Sequence, residues 1–446
     1  MADNTGVSLR NKVLYQVYPR NHGKEGTFKA LEADLDRIKD IGVDIIHLLP
    51  VHPVGKKNRK GLLGSPYAIS DYRALNPELG TMEDFTDLLR AMHDRGILCL
   101  MDIVYNHTSP DSVLFADHPE WFYRGPDGGF GNRIGEWWDV IDLDYGDPRS
   151  GLWDYQIETL VMWAKIVDGF RCDVAPLVPL EFWRRARDKV AGVNPGCLWI
   201  AESVEPSFIV ENRERGFVCH SDGEMFRVFD VCYDYDIFGF YQKYLEGSSS
   251  LASYAEKINA QEYIYPANYV KLRNLENHDR DRAAFFITDE RALRNWTAFN
   301  YFQKGLTLIY AGQEASARKR PSLFEKDTVD WNAGGPEPVG PAAAGKDLSA
   351  LMRRLYRIKQ DPLFAESRYE VRAAAADVML AIHRLGGRSV FGVFSLNGRA
   401  AEVSVPVADG QYVNLIDGSV FRAGGGRISH SGEPLVFEAA QTPSPS

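Results

Sequence analysis

Eight short apolar runs, separated by longer amphipathic stretches, organise the chain as far as Tyr310. They are Val13–Pro19, Asp44–Pro50, Ile97–Val104, Gly169–Val174, Leu198–Ser203, Phe229–Tyr235, Tyr269–Leu275 and Gly305–Tyr310. The stretches between them carry a helical period. Phe85, Leu88, Leu89 and Met92 stand at i, i+3, i+4 and i+7 behind Thr81-x-x-Asp84, a capping-box pattern. Phe28, Leu31, Leu35 and Ile38 repeat the stripe. Strands that alternate with helices must run parallel, because each helix carries the chain back to the same edge. Eight such units predict an α/β fold closed as a (β/α)8 barrel. An open doubly wound sheet is disfavoured by the lack of a G-x-G-x-x-G turn after the first run.

Two regions break the alternation. From His107 to Asp144 the chain is rich in Gly, Pro, Asp and aromatic residues and has no helical period, as in a short functional insertion after strand three. Past Pro362 the pattern turns to short strands: Tyr369–Arg372, Val378–His383, Ser389–Ser395, Ala401–Val405 and Leu435–Phe437, split by turn residues. The expected layout is a catalytic barrel over 1–362 including the insertion at 107–144, then a C-terminal all-β sandwich over 363–446. Gln441–Ser446 reads as a frayed end.

The net charge of −10 comes with no basic stripe, which argues against nucleic acid as a partner. The basic cluster Lys56–Lys60 reads as a solvated loop. No apolar run reaches membrane-spanning length, and the first residues show no basic segment leading into an apolar one. The cysteines are Cys99, Cys172, Cys197, Cys219 and Cys232, an odd number, two of them inside strand-like runs. Reduced, buried thiols in a cytoplasmic protein are the simplest expectation. Nothing in the sequence bears on oligomeric state.

In a barrel of this kind the reactive groups come from the C-terminal ends of several strands. Strand three ends in Asp102-Ile-Val-Tyr-Asn106-His107 and strand four in Gly169-Phe-Arg171-Cys-Asp173. Strand five ends in Glu202 and strand seven in Asn277-His278-Asp279. Acidic groups converging on one mouth repel one another, and chemistry is the usual reason to keep them together. Glycosidic cleavage uses such a set: one carboxylate attacks the anomeric carbon and a second, protonated, serves the leaving oxygen. Arg171 and Asp173, two apart on a strand, face the same side, so the guanidinium should hold Asp173 ionised. Glu202 follows Leu-Trp-Ile-Ala and has no cation near it in sequence. A dry setting would raise its pKa and suit it to acid work.

These four segments, in this order and at these strand ends, resemble the four short conserved regions of the α-amylase family, glycoside hydrolase family 13. The resemblance covers roughly residues 10–360 and implies roles residue by residue. Asp173 corresponds to the nucleophile, Glu202 to the acid/base and Asp279 to a third carboxylate gripping sugar hydroxyls. His107 and His278 correspond to hydrogen-bond donors to the bound glucose, and Asn277 is placed with them in the substrate-binding set. Arg171 corresponds to the partner of the nucleophile. Tyr67, in Ser65-Pro-Tyr-Ala-Ile-Ser-Asp-Tyr, resembles the aromatic that stacks against that glucose.

The pattern also departs from the family. Many α-amylases carry Lys-His shortly after the nucleophile, with the His carbonyl binding calcium. Here Val174-Ala175-Pro176 follows Asp173. Asn106 corresponds to a calcium ligand of many relatives, yet the first strand–helix loop has no Asp/Asn-rich stretch and the insertion is short. The expectation is therefore an enzyme with no organic cofactor and no dependence on calcium. The implied reaction is retaining hydrolysis of α-1,4-glucosidic bonds in starch-derived glucans or maltooligosaccharides. A transglycosylase, or a sucrose- or trehalose-active enzyme of the same family, would share all four segments.

Overall fold

The computed structural model describes residues 4–331 and 347–440. The frayed end expected at Gln441–Ser446 lies outside them. Eight strands form the barrel: β1 Val13–Val17, β2 Ile45–Leu48, β3 Leu98–Ile103, β4 Gly169–Cys172, β5 Leu198–Ala201, β6 Val231–Tyr233, β7 Lys271–Arg273 and β8 Leu306–Tyr310. Each falls inside one of the eight apolar runs. All pair in parallel, each strand lies between its sequence neighbours, and β8 closes on β1 with Val13 opposite Thr307 and Gln16 opposite Tyr310. Nearly every barrel-strand residue is buried. A strand covered by packed side chains inside and helices outside must be apolar on both faces, hence runs rather than alternation.

The helices follow their sequence signals. Met82–Asp94 begins with a complete capping box: Thr81 accepts from the Asp84 backbone N–H, and Asp84 accepts from the Thr81 N–H. Its stripe of Phe85, Leu88, Leu89 and Met92 is buried. The stripe from Phe28 to Ile38 is also buried, but over two short helices, Phe28–Glu32 and Leu35–Asp40. The break comes at Asp34, whose carboxylate is taken up by His22 and Arg37.

The segment after β3 is small. A two-residue strand at His107–Thr108 pairs with Ile141–Asp142, setting His107 opposite Asp142. Between them lies one five-residue helix, Val113–Asp117, and Trp121 is packed into the core.

Eight C-terminal strands make two four-stranded antiparallel sheets. The first holds β9 Arg368–Ala375, β10 Val378–Leu385, β11 Arg388–Ser395 and β16 Leu435–Ala440; the second holds β12 Ala401–Ser404, β13 Gly410–Val413, β14 Val420–Gly424 and β15 Arg427–His430. Alternation along β10 sorts its faces: Met379 and Ala381 join the barrel core, while Val378, Leu380 and Ile382 join a second core shared with Val403, Ala423 and Ile428. β13–β15 were not legible as strands. They are short, largely exposed and carry little apolar alternation.

All five cysteines are buried and unbridged. Among the described residues no helix is long and apolar enough to cross a membrane.

Candidate active site

The ends of β3, β4, β5 and β7 converge on one cavity of about 370 Å³ at the C-terminal mouth of the barrel. Tyr67, His107, Asp173, Glu202, His278 and Asp279 all line it. The other two residues of the expected binding set, Arg171 and Asn277, are not among those lining it. Arg171 is fully buried beneath the floor. Asn277 is fully buried as well: its amide donates to the Tyr235 hydroxyl (2.8 Å), and its side-chain oxygen accepts from the Asp279 backbone N–H (2.9 Å). Asn277 braces the turn that presents Asp279.

Arg171 does more than the i, i+2 spacing suggests. Its Nη1 donates to Asp102 (2.9 and 3.1 Å) and to Asp173 Oδ1 (2.9 Å), while Nη2 lies 2.7 Å from Glu202 Oε1. Glu202 has no cation near it in sequence but gains one in the fold: the strand order of the barrel brings β4 beside β5 and the guanidinium reaches both carboxylates. Asp102 is fully buried and braces from below, accepting from Arg171 and the Tyr67 hydroxyl (3.0 Å) with His47 at 3.3 Å.

The carboxylates differ in surroundings. Burial raises Glu202 to about 8 against the pull of Arg171. Burial also raises Asp173, to about 7, again opposed by Arg171. The guanidinium moderates this shift but does not reverse it, because three carboxylates share its charge. Both carboxylates sit on one guanidinium, so the charge on one affects the proton held by the other. Asp279 is more open, with 45% of its side chain exposed. There the desolvation cost is outweighed by His278, 3.0 Å away, and the carboxyl falls to about 2. His107 is pushed down to about 3 by burial and by Lys60, so it stays neutral.

Val174, next to Asp173, adopts a left-handed conformation (φ 34°, ψ 42°) that a β-branched residue rarely takes. Strain of this kind costs about 1–3 kcal/mol. Here it aims the Val174 N–H at Glu202 Oε2, 2.8 Å away. Tyr67 donates to Asp102, contacts His278 Nε2 at 2.6 Å and stacks on the His278 ring, with centroids 5.5 Å apart. Gln16, on β1, fixes His278 from behind through its backbone N–H and Nδ1, both at 3.2 Å.

Several lining residues lie outside the site set expected from the sequence. Glu205 and Arg280 form an ion pair beside the cavity, and each follows closely on a motif residue, which was the available signal. Trp137 also lines it and packs on His107. Leu323 and Phe324 come from the loop after β8, where no motif marks them. Lys60 is corrected from solvated loop to cavity wall, paired with buried Asp139 at 2.7 Å.

Asn106 tests the calcium question. Its amide nitrogen lies 3.3 Å from Asp142 Oδ1 and 3.1 Å from His107 Nδ1. Asp142 Oδ2 accepts from the Arg133 backbone N–H (2.8 Å) and from Arg133 Nη1 (3.3 Å). Calcium takes about six to eight oxygen ligands. Here a guanidinium already supplies the positive charge at the carboxylate facing Asn106. The residues present do not fit the ion. Activity and melting temperature should therefore be unchanged by a chelator, whereas Arg133→Ala should lower the melting temperature by about 5 °C. A chelator-induced drop of that size, followed by scanning calorimetry, would overturn the argument.

Comparison with known proteins agrees with this geometry. Residues 6–124 match the family model of the α-amylase catalytic domain, and residues 370–437 match that of the bacterial α-amylase C-terminal domain. An α-amylase structure from Lactobacillus plantarum is 42% identical, with a TM-score of 0.91, over 98% of this chain and 100% of that one. A maltogenic α-amylase from Thermotoga neapolitana is 30% identical, with a TM-score of 0.83, over the same shares. An α-1,4-glucan:maltose-1-phosphate maltosyltransferase from Methylacidiphilum infernorum is 32% identical over 46% of this chain. The chain spans about a third of the length of that curated relative, 34%. With a relative matched from end to end and the four segments gathered at one barrel mouth, the chain belongs to the α-amylase family, glycoside hydrolase family 13.

Proposed function

We propose that this enzyme hydrolyses α-1,4-glucosidic bonds of starch-derived glucans or maltooligosaccharides with retention of configuration. The observation that carries the reading is the pairing of Asp173 and Glu202 across one guanidinium in the cavity that Asp279 and His107 also line. A shared guanidinium holds two carboxylates close, in keeping with the separation of about 5 Å that double displacement needs. In the first step an Asp173 oxygen forms a bond to the anomeric carbon as the bond from that carbon to the glycosidic oxygen breaks. The departing oxygen takes the proton of Glu202. In the second step Glu202 takes a proton from water, the water oxygen bonds to the anomeric carbon, and Asp173 leaves as a carboxylate. Asp279 and His278 grip sugar hydroxyls, neutral His107 bonds the same glucose, and Tyr67 covers its face.

Transfer to a sugar or phosphate acceptor follows the same first step. That reading draws support from the curated maltosyltransferases, and hydrolysis from the amylases aligned over the whole chain. A product time course on maltotriose and longer chains separates them: hydrolysis adds one reducing end per cleavage, and transfer adds none. Proton NMR in the first minutes should find the new reducing end as the α anomer. An initial β anomer would sink the retaining mechanism, and activity confined to sucrose or trehalose would replace the substrate.

A further inference from the structure

We infer that the cavity is walled off on its nonreducing side, so that the enzyme removes units of one or two glucoses from the nonreducing ends of α-glucans. This rests on the glycosidase chemistry proposed above. The barrel order settles direction. β1 stands opposite β5, which ends in Glu202. A proton donor must meet the glycosidic oxygen, so the leaving portion of the chain lies over the β5 side. The nonreducing portion points the other way, toward the loops that follow β1, β2 and β8.

Those three loops are joined to one another. Leu63, after β2, donates its N–H to the Phe324 carbonyl, after β8, at 2.9 Å. The Leu62 N–H donates to Glu325 Oε1 at 2.8 Å. Arg20, after β1 and almost fully buried, reaches the Leu323 carbonyl (3.3 Å) and the Gly64 carbonyl (3.4 Å), and so holds both partners from behind. Gly61 shows how tight the seam is. It has φ +64°, and a Cβ there would fall 2.6 Å from Glu325 Oε1 and 2.7 Å from Phe324 Cβ. Lys60 continues the wall to the insertion through its pair with Asp139, and its ammonium lies over the Trp138 ring at 5.4 Å.

Lys60, Leu323 and Phe324 face the same cavity as Asp173 and Asp279. A glucan continuing past its nonreducing residue would meet side chains of Lys60, Leu323 and Phe324 whose loops are pinned to one another by backbone hydrogen bonds. Backbone bonds cannot swing aside as exposed rotamers do, and breaking them leaves polar groups unpaired. A chain end, by contrast, fits against the wall.

The test uses maltohexaose tagged with a fluorophore at its reducing end. One sample is free and the other carries an ethylidene bridge across O4 and O6 of its nonreducing glucose. The free sugar should lose one or two glucoses per cleavage, giving tagged products that shorten in uniform steps. The blocked sugar should react about a hundredfold more slowly. Phe324→Ala, which trims a loop side chain, should raise the blocked-to-free rate ratio about tenfold. Equal rates on both sugars, with tagged products of all lengths, would overturn the wall and leave hydrolysis standing. An unchanged ratio in Phe324→Ala would remove that side chain from the wall's role. Inertness toward both sugars would overturn the proposed function, and the wall with it.

Discussion

Asp173→Asn should leave a folded chain that cleaves α-1,4-glucans more slowly by about 10⁴-fold or more. The amide matches the carboxylate in shape, and its oxygen can still accept from Arg171 Nη1. Losing one negative charge leaves the guanidinium with Asp102 and Glu202, so the buried cluster stays balanced. What disappears is the negative charge that makes this oxygen a nucleophile toward the anomeric carbon, and with it the covalent route. Thermal melting of the variant should track the parent, so that lost rate reflects lost chemistry. Retention of more than about a tenth of the parent activity would remove Asp173 from this role.

Glu202→Gln should separate substrates by leaving group. On natural glucans the departing sugar oxygen needs a proton, and its loss should slow cleavage by about 10²–10⁴-fold. An α-glycosyl fluoride departs without one, so its first turnover, followed by fluoride release, should slow far less. The pH profile provides a second check. Activity requires Asp173 ionised, so the rate rises as pH passes upward through the lower value of the pair, about 7. It also requires Glu202 protonated, so the rate falls above the higher value, about 8. The parent kcat/KM should therefore be bell-shaped near neutrality, and the alkaline limb should vanish in Glu202→Gln on the fluoride. Equal losses on both substrates, or an alkaline limb that persists, would count against Glu202 as the acid.

The parts of the site legible in the sequence were those set by strand geometry and chain order. A buried parallel strand must be apolar on both faces, so eight such runs announced the barrel. The mouth collects whatever follows each run, and the acidic ends of the fourth, fifth and seventh runs could be read off directly. The i, i+2 spacing of Arg171 and Asp173 predicted their contact because Asp173 continues the extended backbone of β4 by one residue. β13–β15 left no such mark, since exposed short strands need little apolar alternation.

The sequence by itself determined the architecture and which three carboxylates the barrel mouth collects, because both follow from local periodicity and from the order of units along the chain. Only the tertiary structure decided how those groups share charge. That Arg171 reaches Glu202 as well as Asp173 depends on β4 lying beside β5, and that burial outweighs the guanidinium at Asp173 depends on how much protein covers it. The turn at Val174, the pairing of Arg133 with Asp142 and the seam between Leu63 and Phe324 belong to the same class. Each joins groups through a fold that must close before they meet. Desolvation and contact between distant loops are properties of that closed surface, and no local pattern along the chain encodes them.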